Sequence, residues 1–373
     1  MRNFIFTLLI IALASIESLF ALEQENYPNI SGQILFESRN DSILSTKERD
    51  LKSFNGYINI EPDFNLNFDE NWSIQTGWRI LPIFDRKYDY PERSRFILGN
   101  NRGVNQDSTG LIIEELKVHF ENEDMKFSAG KIDPTFATMY RRSKRIGLFI
   151  TDFTEDYELR EKIGFSVSGL LEDSEVTANT FFSDTTGLSD SGFKHRKRQS
   201  PNDGLSSNTG TLSSFSLTIE GQKFFGVENL YYNVGYRNMN VEARDELSRK
   251  EKGYTLNLEY LHKIGKNTSI VPFFEYVRLD NFTGHKNRDA IYFTSGIIGK
   301  YSGWTASLAG VVRNIDNNYS LASKSKTNDS LFTANIGYKF SNNIAIDLSR
   351  ANVKEDSKKA SMIGVIISYL YKF

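Results

Sequence analysis

Histidine and serine are the residues of this chain that could carry out catalysis, because a histidine beside a serine hydroxyl can act as its general base. There are four histidines: His119, His195, His262 and His285. His119 shares strand parity with Glu115 and Lys117 and could orient a serine on a neighbouring strand. Serine is abundant, however, so such a pair is expected by chance, and the motifs H-E-x-x-H and G-x-S-x-G do not occur. The absence of cysteine excludes thiolate nucleophiles, thiolate metal sites and disulfides. The sequence therefore argues against an enzyme and predicts neither a metal site nor a cofactor.

Two oppositely charged runs follow one another in residues 134–160. MYRRSKR supplies the basic residues Arg141, Arg142, Lys144 and Arg145, and TDFTEDYE supplies the acidic residues Asp152, Glu155, Asp156 and Glu158. Opposed charges on a narrow aqueous rim create a transverse field, which orients dipolar solutes and sorts ions. The alternative is a solvated loop whose charges neutralise one another, and the sequence leaves both open.

The overall composition assigns no general electrostatic role to the chain. Forty-five Lys and Arg residues stand against 47 Asp and Glu, a formal net charge of -2. This balance gives no attraction for nucleic acid, so none is predicted as a partner. Aromatic residues reach 13% although the mean hydropathy is -0.42. That combination suits a surface that changes from apolar to wet.

The N-terminus has the pattern of a secretory signal peptide over residues 1–21. Arg2 is followed by an apolar stretch from Phe4 to Ile16, and a small residue, Ala21, ends the segment. Glu17 interrupts the apolar run before it could span a bilayer, which weakens the alternative of a membrane anchor. We expect the mature domain to comprise residues 22–373.

The rest of the chain alternates apolar and polar residues in runs of about ten, the length of a tilted membrane strand. In YINIEPDFNLNF, Ile58, Ile60 and Phe64 share one face while Asn59, Glu61 and Asp63 share the other. NLYYNVGYR and LFTANIGYKF follow the same rule. The C-terminal strand places Ile363, Val365, Ile367, Tyr369, Tyr371 and Phe373 on one face.

Short polar links alternate with longer segments between these strands, as in an outer-membrane barrel with tight periplasmic turns and long external loops. Counting strands between the links predicts an all-β, antiparallel transmembrane barrel of about 16 strands. Lipid offers no hydrogen-bond partners to the backbone, so the last strand must pair with the first, near residues 30–38. A ring of this size encloses an aqueous channel.

Strand parity also predicts which charged residues line the channel. The candidates for the pore wall are Arg79, Glu115, Lys117, Arg237, Glu259, Arg313 and Lys339. A polar lumen needs such residues without any one of them forming a binding site.

The chain resembles the 16-stranded porins of Gram-negative outer membranes, of the general or carbohydrate-selective kind. The resemblance lies in the signal peptide, the terminal VIISYLYKF, the strand count, and the segments AGKIDPTFA (129–137) and GLFITDFTEDYELREKIG (147–164) around a long third external loop. It implies that residues 134–160 fold into the lumen as the constriction loop. It also implies that Ile367, Tyr369, Tyr371 and Phe373 form the signal read by the outer-membrane assembly machinery.

The resemblance further implies a cell outer-membrane location, a lipid bilayer as surroundings, and a homotrimer. The function expected is a water-filled porin channel for passive diffusion of ions and small hydrophilic solutes. The alternative is a structural or adhesive barrel with a closed lumen and partner-binding external loops. The basic run KHRKR at 194–198 could contact lipopolysaccharide phosphates, although its Ser- and Gly-rich flanks favour a solvated loop tip.

Overall fold

The structure is a computed structural model, and it describes residues 26–46, 54–82, 109–200, 205–242, 246–318 and 325–373. Sixteen long strands form one antiparallel sheet that closes on itself, which confirms the predicted barrel. In chain order they are β1 Asn29–Thr46, β2 Phe54–Asn67, β3 Trp72–Pro82, β4 Thr109–Glu121, β5 Met125–Ile132, β6 Lys162–Leu171, β7 Ser174–Ser183, β8 Ser214–Phe224, β9 Val227–Met239, β10 Glu251–Tyr260, β11 Thr268–Asp280, β12 Arg288–Tyr301, β13 Trp304–Asn317, β14 Ser325–Lys339, β15 Ile344–Glu355 and β16 Lys358–Lys372. The predicted signal peptide, residues 1–21, lies outside the described residues.

The first and last strands form the seam of the barrel. β1 pairs with β16 in antiparallel register, with Phe36 opposite Tyr369. The backbone of Phe373 completes this seam, since its N–H donates to the carbonyl of Gly32 at 3.1 Å and its carbonyl accepts from Gly32 N–H at 3.0 Å. Closure leaves no sheet edge whose backbone groups would face lipid without partners.

Side chains alternate between an outward apolar face and an inward face along the strands. On β13 the outward Leu308 is 50% exposed, whereas the inward Ser307 and Arg313 are each 4% exposed. Outward aromatic residues lie at the strand ends beside the short turns, among them Trp72, Tyr301, Trp304 and Tyr338. An outward apolar band with aromatic residues at its border is the surface that a bilayer requires.

Short turns join the strands at one end of the barrel and longer segments join them at the other. The short turns comprise residues 68–71, 122–124, 172–173, 225–226, 261–267, 302–303 and 340–343. The start of β1 and the end of β16 both lie on the side of the short turns, because the strand number is even. The connection from β7 to β8 comprises residues 184–213, of which 201–204 lie outside the described residues, and the connection from β5 to β6 is nearly as long.

Residues 133–160, which are all but the last residue of the connection between β5 and β6, are called the inner segment below. It contains two short helices, α1 Met139–Ile146 and α2 Thr151–Thr154, and a 3₁₀ turn, Glu155–Tyr157. Within the described parts of the chain, no helix is both long and apolar enough to cross a membrane. The inner segment instead packs against inward-facing side chains of the sheet.

Candidate functional site

The inner segment leaves the sheet because β5 ends early. β5 has eight residues and stops at Ile132, and pairing resumes only at Lys162. Pro134 lies two residues after Ile132 and has no N–H to offer a strand ladder. Between α1 and α2, Gly147 has a φ of 132°, and a Cβ there would lie 2.8 Å from the side chain of Thr333 on β14. Only glycine satisfies both conditions, so the segment bends at this residue against the wall.

One face of the inner segment is apolar and dry. Met139, Phe149 and Phe153 have no exposed surface and form a cluster with inward side chains of β1 and β11 to β16. The wall side of this cluster consists of Ile43, Val271, Phe273, Ile298, Ala309, Val311, Leu331, Ala351, Val353, Met362 and Ile366. Each large apolar side chain contributes about 1.5–3 kcal/mol when it is buried. This wall is therefore covered by protein rather than by water.

A second apolar cluster extends the dry contact towards β7. Phe136, Tyr157 and Leu159 of the inner segment pack with Phe181 and Tyr292 and with other inward residues of β7 to β13. The rings of Tyr157 and Tyr292 meet edge to face, with centroids 5.0 Å apart. The inner segment thus follows the inner wall from β7 round to β1.

Glu275 of β11 binds the start of α1. Its Oε2 accepts the backbone N–H groups of Thr138 and Met139 at 2.8 and 3.1 Å, and the Thr138 hydroxyl at 3.0 Å. Its Oε1 accepts the Tyr157 hydroxyl at 2.6 Å. α1 has no side-chain cap of its own, so the strand supplies the acceptor that the first N–H groups of a helix need.

Arg313 of β13 binds the 3₁₀ turn from the wall. Its guanidinium lies 2.9 Å from Asp156 Oδ2 and 2.7 Å from both Asp329 Oδ2 and Glu355 Oε1. The Tyr292 hydroxyl also donates to Asp156, at 2.9 Å. These side chains are almost fully buried, so Asp156 serves as an attachment point of the inner segment.

Arg237 of β9 has a similar position beneath the segment. It pairs with Glu251, donates to the Tyr157 carbonyl at 2.6 Å and stacks over the Phe136 ring at 4.6 Å. Only 2% of the residue is exposed. Two arginines of the predicted pore wall, Arg237 and Arg313, therefore face inward but contact the inner segment.

The opposite wall, β2 to β4, carries charged inward side chains that keep part of their exposure. Arg79 Nε lies 2.9 Å from Glu114 Oε2 and 3.5 Å from Glu61 Oε1, and these three side chains are 24%, 16% and 20% exposed. On β4, Lys117 Nζ donates to Glu115 Oε1 at 2.9 Å. The register of β3 and β4 shifts between Gly77 and Trp78, which leaves Glu114 as an extra residue in a bulge. Because of this bulge, the side chains of the adjacent Glu114 and Glu115 can both lie on the inward face of β4.

The inner segment presents its own charges towards that wall. Arg160 pairs with Glu158 and lies 3.7 Å from Glu155 Oε1. Burial alone would lower the pKa of Arg160, but Glu155, Glu158 and Glu114 outweigh it and raise that pKa well above its usual range. Burial raises the pKa of Glu158, while Arg160 and Arg79 act in the opposite direction. Glu114 and Arg79 belong to the wall, so charges on the two sides interact. We call Glu61, Arg79, Glu114, Glu155, Glu158 and Arg160 the charged rim.

The other predicted site residues are dispersed. Asp152 is 8% exposed and Arg141 is exposed on α1, where it donates to the Ala137 carbonyl at 3.1 and 3.3 Å. Arg142, Lys144 and Arg145 also lie on α1, where the structure describes the backbone of these residues but not their side chains. Glu259 is buried on β10, and Lys339 is exposed at the end of β14 beside a short turn.

Sequence reasoning missed Glu114, Arg160 and Glu275. The adjacent pair Glu114-Glu115 within an alternating strand was the available signal for a bulge. Arg160 lies just after the acidic run and apart from the basic residues of MYRRSKR, so the pattern does not single it out. Nothing in the local sequence distinguishes Glu275 from a residue that merely wets a channel.

His119 meets a serine near a short turn. Its Nδ1 lies 2.9 Å from Ser128 Oγ on β5, and its Nε2 lies 3.3 Å from Glu121 Oε2 on its own strand. Glu121 is 53% exposed, so this carboxylate has water as a competing partner. Among the described side chains, no group of three or more His, Asp or Glu could hold a metal ion.

Comparison with known proteins supports the fold of this chain, but it does not assign a solute or any site residue. No protein-family profile and no curated protein matches the sequence. Among solved structures, the chain is similar to OprB of Pseudomonas putida, at 10% identity and a TM-score of 0.60, covering 92% of this chain and 94% of that one. It is also similar to the outer membrane channel DcaP of Acinetobacter baumannii, at 12% identity and a TM-score of 0.57, covering 92% and 96%. A trimer form of OmpT, an outer membrane protein of Vibrio cholerae, matches at 12% identity and a TM-score of 0.50, covering 92% and 98%. The fold is that of 16-stranded outer-membrane porins.

Proposed function

We propose that this chain is a porin of a Gram-negative outer membrane, through which ions and small hydrophilic solutes diffuse between the inner segment and the wall of β2 to β4. One observation carries the proposal: the interior is divided. The inner segment has a dry apolar contact with β7 to β16, whereas the charged rim lies on its other side and remains partly exposed. Charged side chains that keep contact with water are what an aqueous passage requires.

The charged rim favours cations. It contains four carboxylates and two guanidinium groups, because Glu61, Glu114, Glu155 and Glu158 accompany Arg79 and Arg160. Of the acidic run, Asp152 and Asp156 are buried, so Glu155 and Glu158 are the members placed to act on a passing ion.

Conductance in a planar bilayer tests this proposal. The unmodified protein should insert in discrete conductance steps, and its reversal potential in a salt gradient should indicate a preference for cations. Glu155→Gln with Glu158→Gln should lower the cation-to-anion permeability ratio by about two- to fivefold, since two of the rim's charges are lost. Glu123→Gln, in an exposed short turn, is the matched control. An unchanged ratio in the double variant would remove these residues from the pathway.

A closed barrel is the second candidate, and the two apolar clusters favour it. They fill part of the interior with side chains that exclude water. In that case the barrel would act through its external loops as a structural or adhesive protein. A folded preparation that never conducts would support this candidate against the channel.

We propose a homotrimer that associates through the outward face of β1. Asn40 and Ser42 interrupt an outward belt that is apolar on the neighbouring strand β16, where Val365 and Ile363 lie opposite them. Polar side chains facing lipid lose hydrogen bonds to water, whereas the same row of a second copy offers both donors and acceptors. Cross-linking of Asn40→Cys, in a chain that has no cysteine, tests the contact.

The remaining expectations complete the proposal. The terminal residues Ile367, Tyr369, Tyr371 and Phe373 would be read by the assembly machinery before closure, and the exposed Lys194 and His195 are available to lipopolysaccharide. We assign no catalysis to the His119 contact, because its carboxylate partner is largely solvated. Ser128→Ala should leave conductance unchanged.

A further inference from the structure

Because the chain leaves the sheet after β5 to form the inner segment, the first part of β4 has no β5 residues to pair with. β5 pairs with β4 only from Leu116 to Glu121, so the upper part of β4 lacks this partner. A two-residue strand of the β7–β8 connection takes the place, with Phe193 opposite Gly110 and Gly192 opposite Leu111. The Lys194 N–H extends this pairing to the Thr109 carbonyl at 3.2 Å.

Four charged side chains join this external connection to both ends of the inner segment. Lys131 precedes the segment and Glu161 follows it, and Lys131 Nζ lies 2.9 Å from Glu161 Oε2. Asp184, at the start of the external connection, lies 3.0 Å from Lys131 Nζ. Arg196 donates to Glu161 from within the KHRKR run. Lys131, Asp184 and Arg196 are 1%, 0% and 6% exposed, so these contacts are screened little by water.

Backbone contacts fix the same arrangement. Lys131 Nζ donates to the Leu188 carbonyl at 2.9 Å, and Arg196 Nε donates to the Ser189 carbonyl at 3.0 Å. The Glu161 N–H donates to Asp133 Oδ1 at 2.7 Å, which joins the two ends of the segment to each other. Residues 184–198 therefore pack against the residues at which the inner segment leaves the sheet and rejoins it.

We propose that residues 184–198 are a clasp that positions the inner segment from outside the barrel wall. Lys131, Glu161, Asp184 and Arg196 are its positioning residues. The effect on permeation rests on the proposed channel function, whereas the effect on the position of the segment does not. The KHRKR run thus contributes one buried residue, Arg196, to the clasp.

Electron paramagnetic resonance of a spin label tests the clasp without requiring conduction. The chain has no cysteine, so Arg141→Cys on the exposed face of α1 provides one labelling site. In the Arg196→Ala background the mobile component of the label should rise by about tenfold, because Glu161 loses a buried partner. Lys194→Ala removes an exposed charge of the same run and should leave the spectrum unchanged.

A reference label separates loss of the clasp from general loosening. Leu308→Cys, on the outward face of β13, should keep its spectrum in the Arg196→Ala background. If Arg196→Ala gives no folded barrel, Arg196→Lys is measured under the same criterion, and it should give an intermediate mobility. An unchanged label at position 141 in a folded Arg196 variant, or equal loosening at position 308, would overturn the proposal.

Single-channel recordings provide the functional readout. Arg196→Ala should close and reopen more often than Lys194→Ala at equal voltage, if the parent protein conducts. A silent parent would contradict the channel, while the spin-label result would still decide the clasp.

Discussion

At the scale of residues, single buried charges hold the inner segment at defined points. Glu275, Arg313 and Arg237 each reach from a strand to the segment, and each has acceptors or donors that water cannot replace. A buried charge that loses its partner is costly, which makes these contacts specific as well as stabilising. Their removal should therefore release the segment rather than unfold the barrel.

Glu275→Gln is expected to loosen α1. The carboxylate accepts four donors, and an amide would turn an NH₂ group towards one of them. Each lost hydrogen bond to a charged group costs ~1.5–3 kcal/mol. Hydrogen exchange of the Met139 amide should accelerate by more than tenfold.

Tyr157→Phe is the matched control for Glu275→Gln. It removes only one of the four donors and leaves the helix cap in place. The logarithm of the exchange rate of the Met139 amide should then change by less than a third of the change that Glu275→Gln causes. Equal effects of the two substitutions would show that the cap is not what orders α1.

The pH dependence of the clasp follows from Glu161. Burial raises its pKa, but Arg196 and Lys131 outweigh burial and lower the pKa to about 2 from its ordinary 4.5. A carboxyl with a depressed pKa stabilises the fold above its unfolded pKa, and this contribution is lost as the pH falls towards 2. The charged groups that face Glu161 are Lys131, Arg196, Asp184, Asp133, Glu114 and Lys162.

The mobility of a label at position 141 should therefore stay constant from pH 8 down to about 5 and rise only in stronger acid. In the Glu161→Gln variant it should be raised throughout this range. A mobility that already increases between pH 7 and 6 would contradict the assignment to Glu161.

At the scale of elements, alternation accounts for the strands but not for what the barrel contains. The sequence pattern predicts the strand count, the short turns and the seam, because lipid imposes one chemical rule on every outward residue. The inward face obeys no such rule. Met362 and Ile366 point inward although they are apolar, so they depart from the alternating pattern. They pack in one cluster with Phe149 of the inner segment.

Contacts between distant residues explain the other misses. Glu275 and Thr138 are 137 residues apart, and Arg196 and Glu161 come from different connections. No local pattern contains such pairs. A bulge is different, because the two adjacent acids at 114 and 115 break the alternation and could have indicated it.

The seam makes a prediction at this scale. Phe373 forms two backbone hydrogen bonds with Gly32, one as donor and one as acceptor, and its ring centroid lies 5.9 Å from that of Phe64. Deleting it should lower the free energy of unfolding in micelles by ~2–4 kcal/mol. Phe373→Leu keeps the backbone bonds and should lose less than half as much. The midpoint of urea unfolding and heat-modifiable gel migration measure both, and equal losses would show that the backbone bonds of the seam contribute nothing.

At the scale of the whole molecule, the barrel has one covered wall and one charged wall. The inner segment is attached to β7 to β16 by apolar clusters and buried ion pairs, and it is fixed at its ends by the clasp. Any passage must then run beside Arg79, Glu61 and Glu114. The account therefore depends on water lying between this wall and the charged rim of the segment.

Thiol modification during conductance recording tests that claim most directly. Arg79→Cys places the only thiol on the charged wall, and Leu308→Cys places it on the lipid-facing surface. A charged methanethiosulfonate reagent should reduce the conductance of open Arg79→Cys channels within seconds and leave Leu308→Cys channels unchanged. The account would be contradicted if the reagent left the conductance of open Arg79→Cys channels unchanged. It would also be contradicted if the folded protein never conducted.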